Sequence, residues 1–163
     1  MILTTDAPQI YVGRELNNEL PRLLATARYQ VRILAYEINT SLSPSQHGHQ
    51  PIMPQLILIG NRRLICKIIL AQSKKSANVR ITNTRAAEQL IAIGWEARIA
   101  PAHPLQHAKC WLLDNHTAII GSHNLTISSL ISNVEVTVSL HDTKIIARLS
   151  AVFGQQWEKS LPP

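Results

Sequence analysis

The sequence is poor in cysteine and in aromatic residues, and each shortage excludes a class of protein. Two cysteines occur among 163 residues, too few for the disulfide framework of a small secreted domain or for a four-cysteine zinc site. Cys66 and Cys110 both lie in apolar segments, so we expect reduced thiols in the core. Phe, Trp and Tyr make up 4% of the chain, which leaves Ile, Leu and Val to form most of that core.

Long apolar runs and targeting signals are also missing. The longest candidate, residues 52–60, contains Pro54 and is much shorter than a membrane-spanning helix. The first residues do not place a basic segment before an apolar one, as a secretory signal would. We therefore expect a cytoplasmic protein without stable membrane insertion.

Acidic residues are outnumbered by basic ones. Lys and Arg total 16 against 10 for Asp and Glu, which gives a net charge of +6. This balance favours a polyanionic partner such as nucleic acid or an anionic membrane surface, although many proteins simply have a solvated basic surface. Charge alone does not choose between these partners.

Metal-binding patterns are absent as well. The chain has no cluster of carboxylates, and His47 and His49 lie among Pro, Gly and Gln without a second pair of ligands. Residues 39–51 have the composition of a loop. The sequence predicts no metal site and no cofactor.

What is present indicates an ordinary globular chain. Hydrophobic residues make up 45% of it and the mean hydropathy is +0.02, values that separate it from disordered proteins. The length suits one domain over residues 1–163.

Strand and helix patterns alternate along the sequence. Strand patterns occur at residues 9–12, 31–38, 66–71, 95–100, 106–113, 117–120 and 133–140, and helical patterns at 14–28, 53–64, 83–93 and 144–157. Asn83 is placed to cap the third helix, and Arg62 with Arg63 suits a helix end or a phosphate contact. The order predicts an α/β fold, with a mixed, mostly parallel sheet flanked by helices on both faces.

Residues 107–126 carry most of the side chains suited to chemistry. The strand over residues 106–113 places alternate side chains on one face, so that His107 and Lys109 point the same way, one pleat apart. After a turn, residues 117–120 return as a hairpin partner. The hairpin therefore presents an imidazole beside an ammonium group.

Neutral donors follow the hairpin. Gly121 has no side chain, so Ser122 and Asn124 can come close to a bound group. A nucleophile, a cation and neutral donors suit a tetrahedral phosphorus centre, whose negative charge grows in the transition state. A His or Lys taken singly is more often a core or surface residue, so the combination is what indicates phosphoryl chemistry.

Other residues are candidates for contact with a polyanion. Lys74, Lys75 and Arg80 lie in a polar stretch of small residues, where they either contact a nucleic-acid backbone or are simply solvated. Trp111 shares the predicted face of His107 and could stack on a base, although a Trp on a strand is more often part of the core.

The spacing of the hairpin residues resembles that of the phospholipase D superfamily, whose motif of His, Lys and Asp has this form. The matching residues are His107, Lys109, Asp114, Gly121, Ser122 and Asn124. The similarity continues to Asn133 and Glu135, where the single-motif bacterial endonucleases of the family carry the same residues. It implies an α/β/α sandwich and a phosphodiesterase that needs no metal. Because H-x-K occurs once in this chain, it also implies a homodimer with one shared site.

The resemblance implies a role for each matching residue. His107 of one subunit attacks phosphorus and forms a phosphohistidine, while the His107 of the other subunit acts as acid and base. Lys109 and Asn124 hold the non-bridging oxygens, with Ser122 as a further donor. Glu135 accepts a hydrogen bond from the imidazole and fixes its tautomer, unless it is merely an exposed strand carboxylate. The remaining matches have structural roles: Asp114 and Gly121.

Three functions stay open at this point. A nuclease acting on DNA, or on RNA, best suits a small basic chain with one motif. A lipid phosphodiesterase is the alternative, although such members of the family usually carry two motifs and lipid-facing loops. The third is a non-catalytic module for nucleic-acid binding or dimerisation, against which the intact His107, Lys109 and Asn124 argue.

Overall fold

The computed structural model describes residues 7–39 and 52–163. Within these ranges seven strands and five helices follow one another as β1 (Gln9–Val12), α1 (Glu15–Ala25), β2 (Gln30–Ala35), α2 (Ile52–Gly60), β3 (Ile65–Leu70), α3 (Ala77–Ala92), β4 (Glu96–Ile99), β5 (Cys110–Leu113), β6 (Thr117–Gly121), α4 (Ile127–Ile131), β7 (Val136–Leu140) and α5 (Thr143–Lys159). His47 and His49, considered above as metal ligands, lie outside the described residues. None of the helices in the described ranges is both long and apolar enough to cross a bilayer.

The strands form one mixed sheet in the order β1-β7-β6-β5-β2-β3-β4. β2, β3 and β4 are parallel, whereas the pairs β1 with β7, β7 with β6, β6 with β5 and β5 with β2 are antiparallel. The predicted mixed sheet is confirmed, but the prediction that it is mostly parallel is wrong. The helices α2 and α3 provide the crossovers that parallel pairing requires, while β5 and β6 are joined by a short turn that only antiparallel strands allow.

Helices cover both faces of the sheet, as predicted. On β2, Val31 and Ile33 face a core completed by α1, α2 and α3, whereas Leu34 faces a second core completed by Ile146 and Phe153 of α5. All five side chains are at most 3% exposed. Burying an aliphatic or aromatic side chain to this extent contributes about 1.5–3 kcal/mol, so the sheet is held from both sides.

The strand that follows His107 is shorter than predicted. β5 begins at Cys110, because its neighbour β2 pairs with it only as far as Leu34. Beyond that point the Ala35 carbonyl accepts from the Ala71 N–H on the other side of β2. Residues 106–108 therefore lie beyond the end of the sheet, whereas the Lys109 carbonyl still accepts from the Gly121 N–H at 3.2 Å.

The prediction that Asn83 caps a helix is wrong. α3 begins at Ala77, and its cap is Ser76, whose hydroxyl accepts from the Val79 N–H at 3.3 Å. Asn83 instead lies inside α3 and is fully buried. Its amide finds hydrogen-bond partners at the ends of β2 and β3, which is why a polar residue is tolerated there.

Arg62 has a structural place. Its guanidinium donates to the carbonyl oxygens of Leu24 at 3.0 Å and Ala27 at 2.6 Å. These groups lie at and just beyond the end of α1, where carbonyls lack helical partners. The sequence predicts that Arg62 lies at the end of its own helix or contacts a phosphate, whereas the guanidinium binds the end of α1, a different helix.

Candidate active site

The residues singled out in the sequence meet at one end of the sheet. Because β5 is antiparallel to β2 and β6, and β6 to β7, the starts of β5 and β7 lie beside the ends of β2 and β6. The Leu125 N–H donates to the Glu37 carbonyl at 2.9 Å and joins the segment after β6 to the one after β2. The side chains assembled at this end include Tyr36, His107, Lys109, Ser122, Asn124 and Glu135.

His107 and Lys109 are in direct contact. The Lys109 Nζ lies 3.2 Å from Nδ1 and 3.3 Å from Nε2 of His107, and donates to the His107 carbonyl at 2.9 Å. Burial lowers the pKa of His107, and the charge of Lys109 lowers it further. Burial also lowers the pKa of Lys109, against the opposing effect of Glu135 and Glu37. The neutral imidazole that nucleophilic attack requires is thereby favoured at neutral pH.

Tyr36 completes this pair and was missed by sequence reasoning. Its ring centroid lies 4.5 Å from that of His107, with the rings inclined at 54°. The Lys109 Nζ lies 5.1 Å from the centre of the same ring. Both distances are typical of aromatic and cation–π contacts. The available signal was a Tyr just after a buried parallel strand, at the strand end where ligands often bind in such sheets.

Gly121 brings β6 very close to β7. A Cβ at this position would collide with the Thr137 side chain and the Val136 carbonyl, so no larger residue fits without moving a strand. The following Ser122 continues the contact, because its Oγ accepts from the Val136 N–H at 3.0 Å and its N–H donates to the Val136 carbonyl at 3.0 Å. The Ser122 hydroxyl is exposed, yet it is engaged with the backbone of β7.

Asn124 is linked to Glu135 through a serine that sequence reasoning missed. The Asn124 N–H donates to Ser129 Oγ at 2.7 Å, and the Ser129 hydroxyl donates to Glu135 Oε1 at 2.8 Å. Ser129 is 1% exposed, so this link is shielded from water. The buried Oδ1 of Asn124 has no hydrogen-bond partner within the described chain.

Glu135 is a carboxylate at neutral pH. Burial would raise its pKa, but the hydrogen-bonding groups of Ser122, Ser129 and Asn133 outweigh this effect, and the pKa lies below its usual value. The direct hydrogen bonds come from Ser129 at 2.8 Å and Asn133 at 3.3 Å. Within the described chain, no hydrogen bond joins Glu135 to the His107 imidazole of the same chain.

His123 is a second residue of the hairpin segment that sequence reasoning missed. It is 3% exposed, with Nδ1 2.7 Å from Thr137 Oγ1 and Nε2 2.9 Å from the Gly13 carbonyl oxygen. Because a carbonyl only accepts, Nε2 carries a hydrogen and donates it to Gly13. His123 therefore fastens the segment between Ser122 and Asn124 to the turn before α1.

Asp114 lies at the opposite end of β5. Its Oδ1 accepts from the N–H groups of Tyr29 at 2.8 Å and Gln30 at 2.9 Å, and its Oδ2 from that of Arg28 at 2.9 Å. Burial would raise its pKa, but these three bonds and the charge of Arg28 lower it. The φ of 54° is left-handed, a conformation that Asp tolerates better than most residues. This geometry supports the structural role expected from the sequence.

Trp111 does not reach the surface of the site. It is 4% exposed and belongs to the core beneath α1, α2 and α3, because β5 lies between β2 and β6 with helices on both sides. The suggestion that Trp111 stacks on a base is therefore wrong.

Lys74, Lys75 and Arg80 are exposed after β3 and at the start of α3, at the same end of the sheet as His107.

In the described ranges, neither a metal site nor a reactive cysteine lies elsewhere in the molecule. Within residues 7–39 and 52–163, no three His, Cys, Asp or Glu side chains converge as a metal site requires. Cys66 and Cys110 are buried free thiols, and burial raises their pKa values to about 11 and about 12. A thiol with such a pKa is protonated at neutral pH and is a poor nucleophile.

Several solved structures share this fold. Nuc from Salmonella typhimurium, a phospholipase D family member, is 20% identical with a TM-score of 0.76, over 96% of this chain and 99% of Nuc. NucT from Helicobacter pylori is 15% identical with a TM-score of 0.75, over 96% and 99% of the two chains. Phosphatidylserine synthase from Haemophilus influenzae is 13% identical with a TM-score of 0.72, over 95% of this chain but 39% of the synthase. At these identities the similarity shows the fold alone.

The sequence itself decides the family. A comparison with curated proteins gives no match. The family model described as cardiolipin synthase, PLD-like domain, matches residues 20–157, a range that includes the hairpin, His107, Lys109, Asn124 and Glu135. With this match, and with a fold shared with Nuc and NucT, the chain belongs to the phospholipase D superfamily.

Proposed function

We propose that this protein is a phosphodiesterase that hydrolyses nucleic acid, with DNA favoured over RNA, through a phosphohistidine and without a metal ion. The observation that carries the proposal is the contact of His107 with Lys109, in which burial and the cation keep the imidazole neutral. The imidazole is then a nucleophile, and the ammonium neutralises charge that grows on the phosphate oxygens. Asn124 adds neutral donors to the same centre.

The reaction proceeds in two balanced steps. In the first, Nε2 of His107 forms a bond to phosphorus, the bond from phosphorus to the leaving oxygen breaks, and a second imidazolium gives its proton to that oxygen. In the second, the now neutral second imidazole takes a proton from water while the water oxygen bonds to phosphorus. The bond from phosphorus to nitrogen then breaks, and both imidazoles return to their starting protonation states.

The second imidazole is the partner's His107 in a symmetric homodimer. In the described part of one chain, the imidazole in contact with Lys109 is that of His107, whereas His123 is buried and held by Thr137 and Gly13. Two copies related by a two-fold axis place the same residue on both sides of a phosphate. The pair then shares one proton, which gives one nucleophile and one acid.

Glu135 fits the same arrangement. Its carboxylate is held by Ser129 and Asn133 and does not bond to the imidazole of its own chain. Across the two-fold axis it accepts from the partner's His107 and holds that ring in one tautomer. The hydrogen bonds from Asn124 to Ser129 and from Ser129 to Glu135 then fix the position of Asn124 relative to the carboxylate that contacts the partner's His107.

Nucleic acid suits the size and charge of the chain. Its +6 net charge and the exposed Lys74, Lys75 and Arg80 favour a polyanion over a zwitterionic headgroup. The chain also matches Nuc and NucT over nearly their whole length. We expect the phosphate backbone, not the bases, to supply most of the binding energy.

The chemistry is tested by cleavage in excess EDTA. Wild-type protein is expected to cleave plasmid DNA under these conditions, and His107→Ala and Lys109→Ala are each expected to lower kcat by roughly 10³-fold or more. His116→Ala, an exposed histidine at the opposite end of the β5–β6 hairpin, is the matched control and retains activity. Loss of wild-type activity on addition of chelator would contradict the metal-free reaction.

The shared site is tested by mixing subunits. When wild-type and His107→Ala chains are co-refolded, only the homodimer of wild-type chains has two imidazoles, so activity falls with the square of the wild-type fraction. An equal mixture therefore retains about a quarter of the activity if the site is shared, and about half if each chain acts alone. A linear dependence refutes the dimeric site and leaves the phosphodiesterase proposal in place.

A lipid substrate is the second candidate, and the description of the matching family model favours it. The discriminating experiment compares plasmid DNA, single-stranded DNA, RNA and vesicles of phosphatidylcholine or phosphatidylglycerol without divalent metal. Cleavage of vesicles alone would transfer the proposal to lipids. Binding of DNA without cleavage of any substrate would indicate a non-catalytic module.

A further inference from the structure

We propose that Tyr36 is a positioning residue, whose ring holds the His107 imidazole and the Lys109 ammonium in their reactive arrangement. The ring lies 4.5 Å from that of His107 and 5.1 Å from the Lys109 Nζ, so one flat side chain contacts both reactive groups. The role rests on the proposed function and adds a residue that the motif does not contain.

Little else in residues 7–39 and 52–163 fixes the imidazole. His107 is exposed and precedes β5, outside the regular strand pairing. Within the described residues its ring nitrogens have Lys109 as their hydrogen-bonding neighbour. Lys109 itself has a long side chain with many rotamers, so it orients the imidazole only if another group restrains that side chain. The ring of Tyr36 contacts both groups and restricts both sets of rotamers.

Tyr36 is in turn held by Asn83. The Nδ2 of Asn83 donates to the carbonyl oxygens of Tyr36 at 2.7 Å and Ala71 at 2.9 Å, and its Oδ1 accepts from the Ile38 N–H at 3.3 Å. Asn83 is fully buried, so water does not compete for these bonds. The backbone that carries the ring is therefore fixed at the Tyr36 carbonyl and at the Ile38 N–H.

The ring also keeps water from one side of the imidazole. Burial is the first cause of the lowered pKa of His107, ahead of the charge of Lys109. Lys109 and Tyr36 are the titratable groups that contact His107, while Glu37 and Glu135 act on Lys109. Removing the ring is expected to raise the pKa of His107 toward its usual value, which leaves less of the neutral nucleophile at neutral pH.

The test compares Tyr36→Leu with Tyr36→Phe, which keeps the ring and is the matched control. The Phe variant is expected to retain kcat within about twofold, whereas the Leu variant loses about 10- to 100-fold in kcat with little change in KM. The acid limb of kcat/KM moves to higher pH in the Leu variant only. NMR titration of the His107 ring, assigned by its absence in His107→Ala, shows the same rise in pKa without any need for activity.

Two results overturn the inference. One is a folded Leu variant with the wild-type kcat and the wild-type His107 titration, and the other is an equal loss in the Leu and Phe variants, which assigns the effect to the hydroxyl. If Tyr36→Leu does not fold, Tyr36→Met makes the same comparison with an unbranched side chain. An inactive wild-type protein overturns the proposed function instead, and the NMR titration still decides the role of the ring.

Discussion

Replacing Asp114 tests whether this residue of the motif contributes to the stability of the fold or to the reaction. Its carboxylate accepts three backbone N–H bonds of 2.8–2.9 Å, each charge-assisted and worth about 1–2 kcal/mol at a partly exposed site. In Asp114→Asn, Oδ1 keeps its two donors, but an NH₂ group replaces Oδ2 and faces the Arg28 N–H. Asn also tolerates the φ of 54°. We expect a loss of about 1–2 kcal/mol in the free energy of unfolding.

Asp114→Ala removes all three bonds and places a non-Gly, non-Asx residue in the left-handed region. The strain adds about 1 kcal/mol, so the total loss in the free energy of unfolding is expected to be about 4 kcal/mol or more. Urea unfolding followed by circular dichroism measures both values. Because Asp114 lies at the end of β5 remote from His107, kcat of the folded Asn variant is expected to equal that of the wild type.

The stability that Asp114 contributes is expected to depend on pH. The pKa of Asp114 is lowered in the folded protein, so its stabilisation is fully present above the unfolded pKa of about 3.9 and is lost as pH falls through the folded pKa. The difference between wild type and Asp114→Asn is therefore expected to be constant near neutral pH and to shrink below pH about 4. An Asn variant with wild-type stability but abolished kcat would show that Asp114 acts in the reaction.

Three further perturbations test the surroundings of the site. Gly121→Ala is expected to cost about 3 kcal/mol or more, since its Cβ meets the backbone of β7; a melting temperature equal to that of wild type would contradict the close approach. Asn83→Leu is expected to cost about 3 kcal/mol, because two carbonyls and one N–H lose their partner, as urea unfolding measures. The double variant Lys74→Gln, Lys75→Gln is expected to reduce the slope of log K for DNA binding against log salt concentration by about 2. Lys144→Gln, on α5, is the control. An unchanged slope in the double variant would show that residues 74–75 do not contact DNA.

Much of the site was predictable because its residues are close in sequence. His107 and Lys109 are two positions apart, and the turn at Asp114 returns the chain so that Gly121, Ser122 and Asn124 lie beside them. Alternation and turn chemistry are local properties, so the hairpin could be predicted without knowing the rest of the fold. Helices on both faces followed from the periodicity of the apolar residues in the same way.

The errors concern relations between distant segments. Strand direction depends on which strands become neighbours, and β5 pairs with β2 from the opposite direction. Alternation places Trp111 on the face of His107 and leaves both base stacking and a core position open. Trp111 lies in the core because β5 is covered by helices, whereas His107 precedes β5. Asn83 looked like a helix cap because its partners at Tyr36 and Ala71 are not adjacent in sequence.

The sequence by itself determined the candidate reactive groups, since the proposed phosphoryl chemistry follows from an imidazole, an ammonium and an amide at these spacings. Tertiary structure alone decided which remote segments hold the site together. Asn83 and Tyr36 are 47 residues apart, and His123 and Gly13 are 110 apart. No local pattern encodes such contacts, because they form only when the sheet brings remote strand ends to the same place and buries their polar groups against one another.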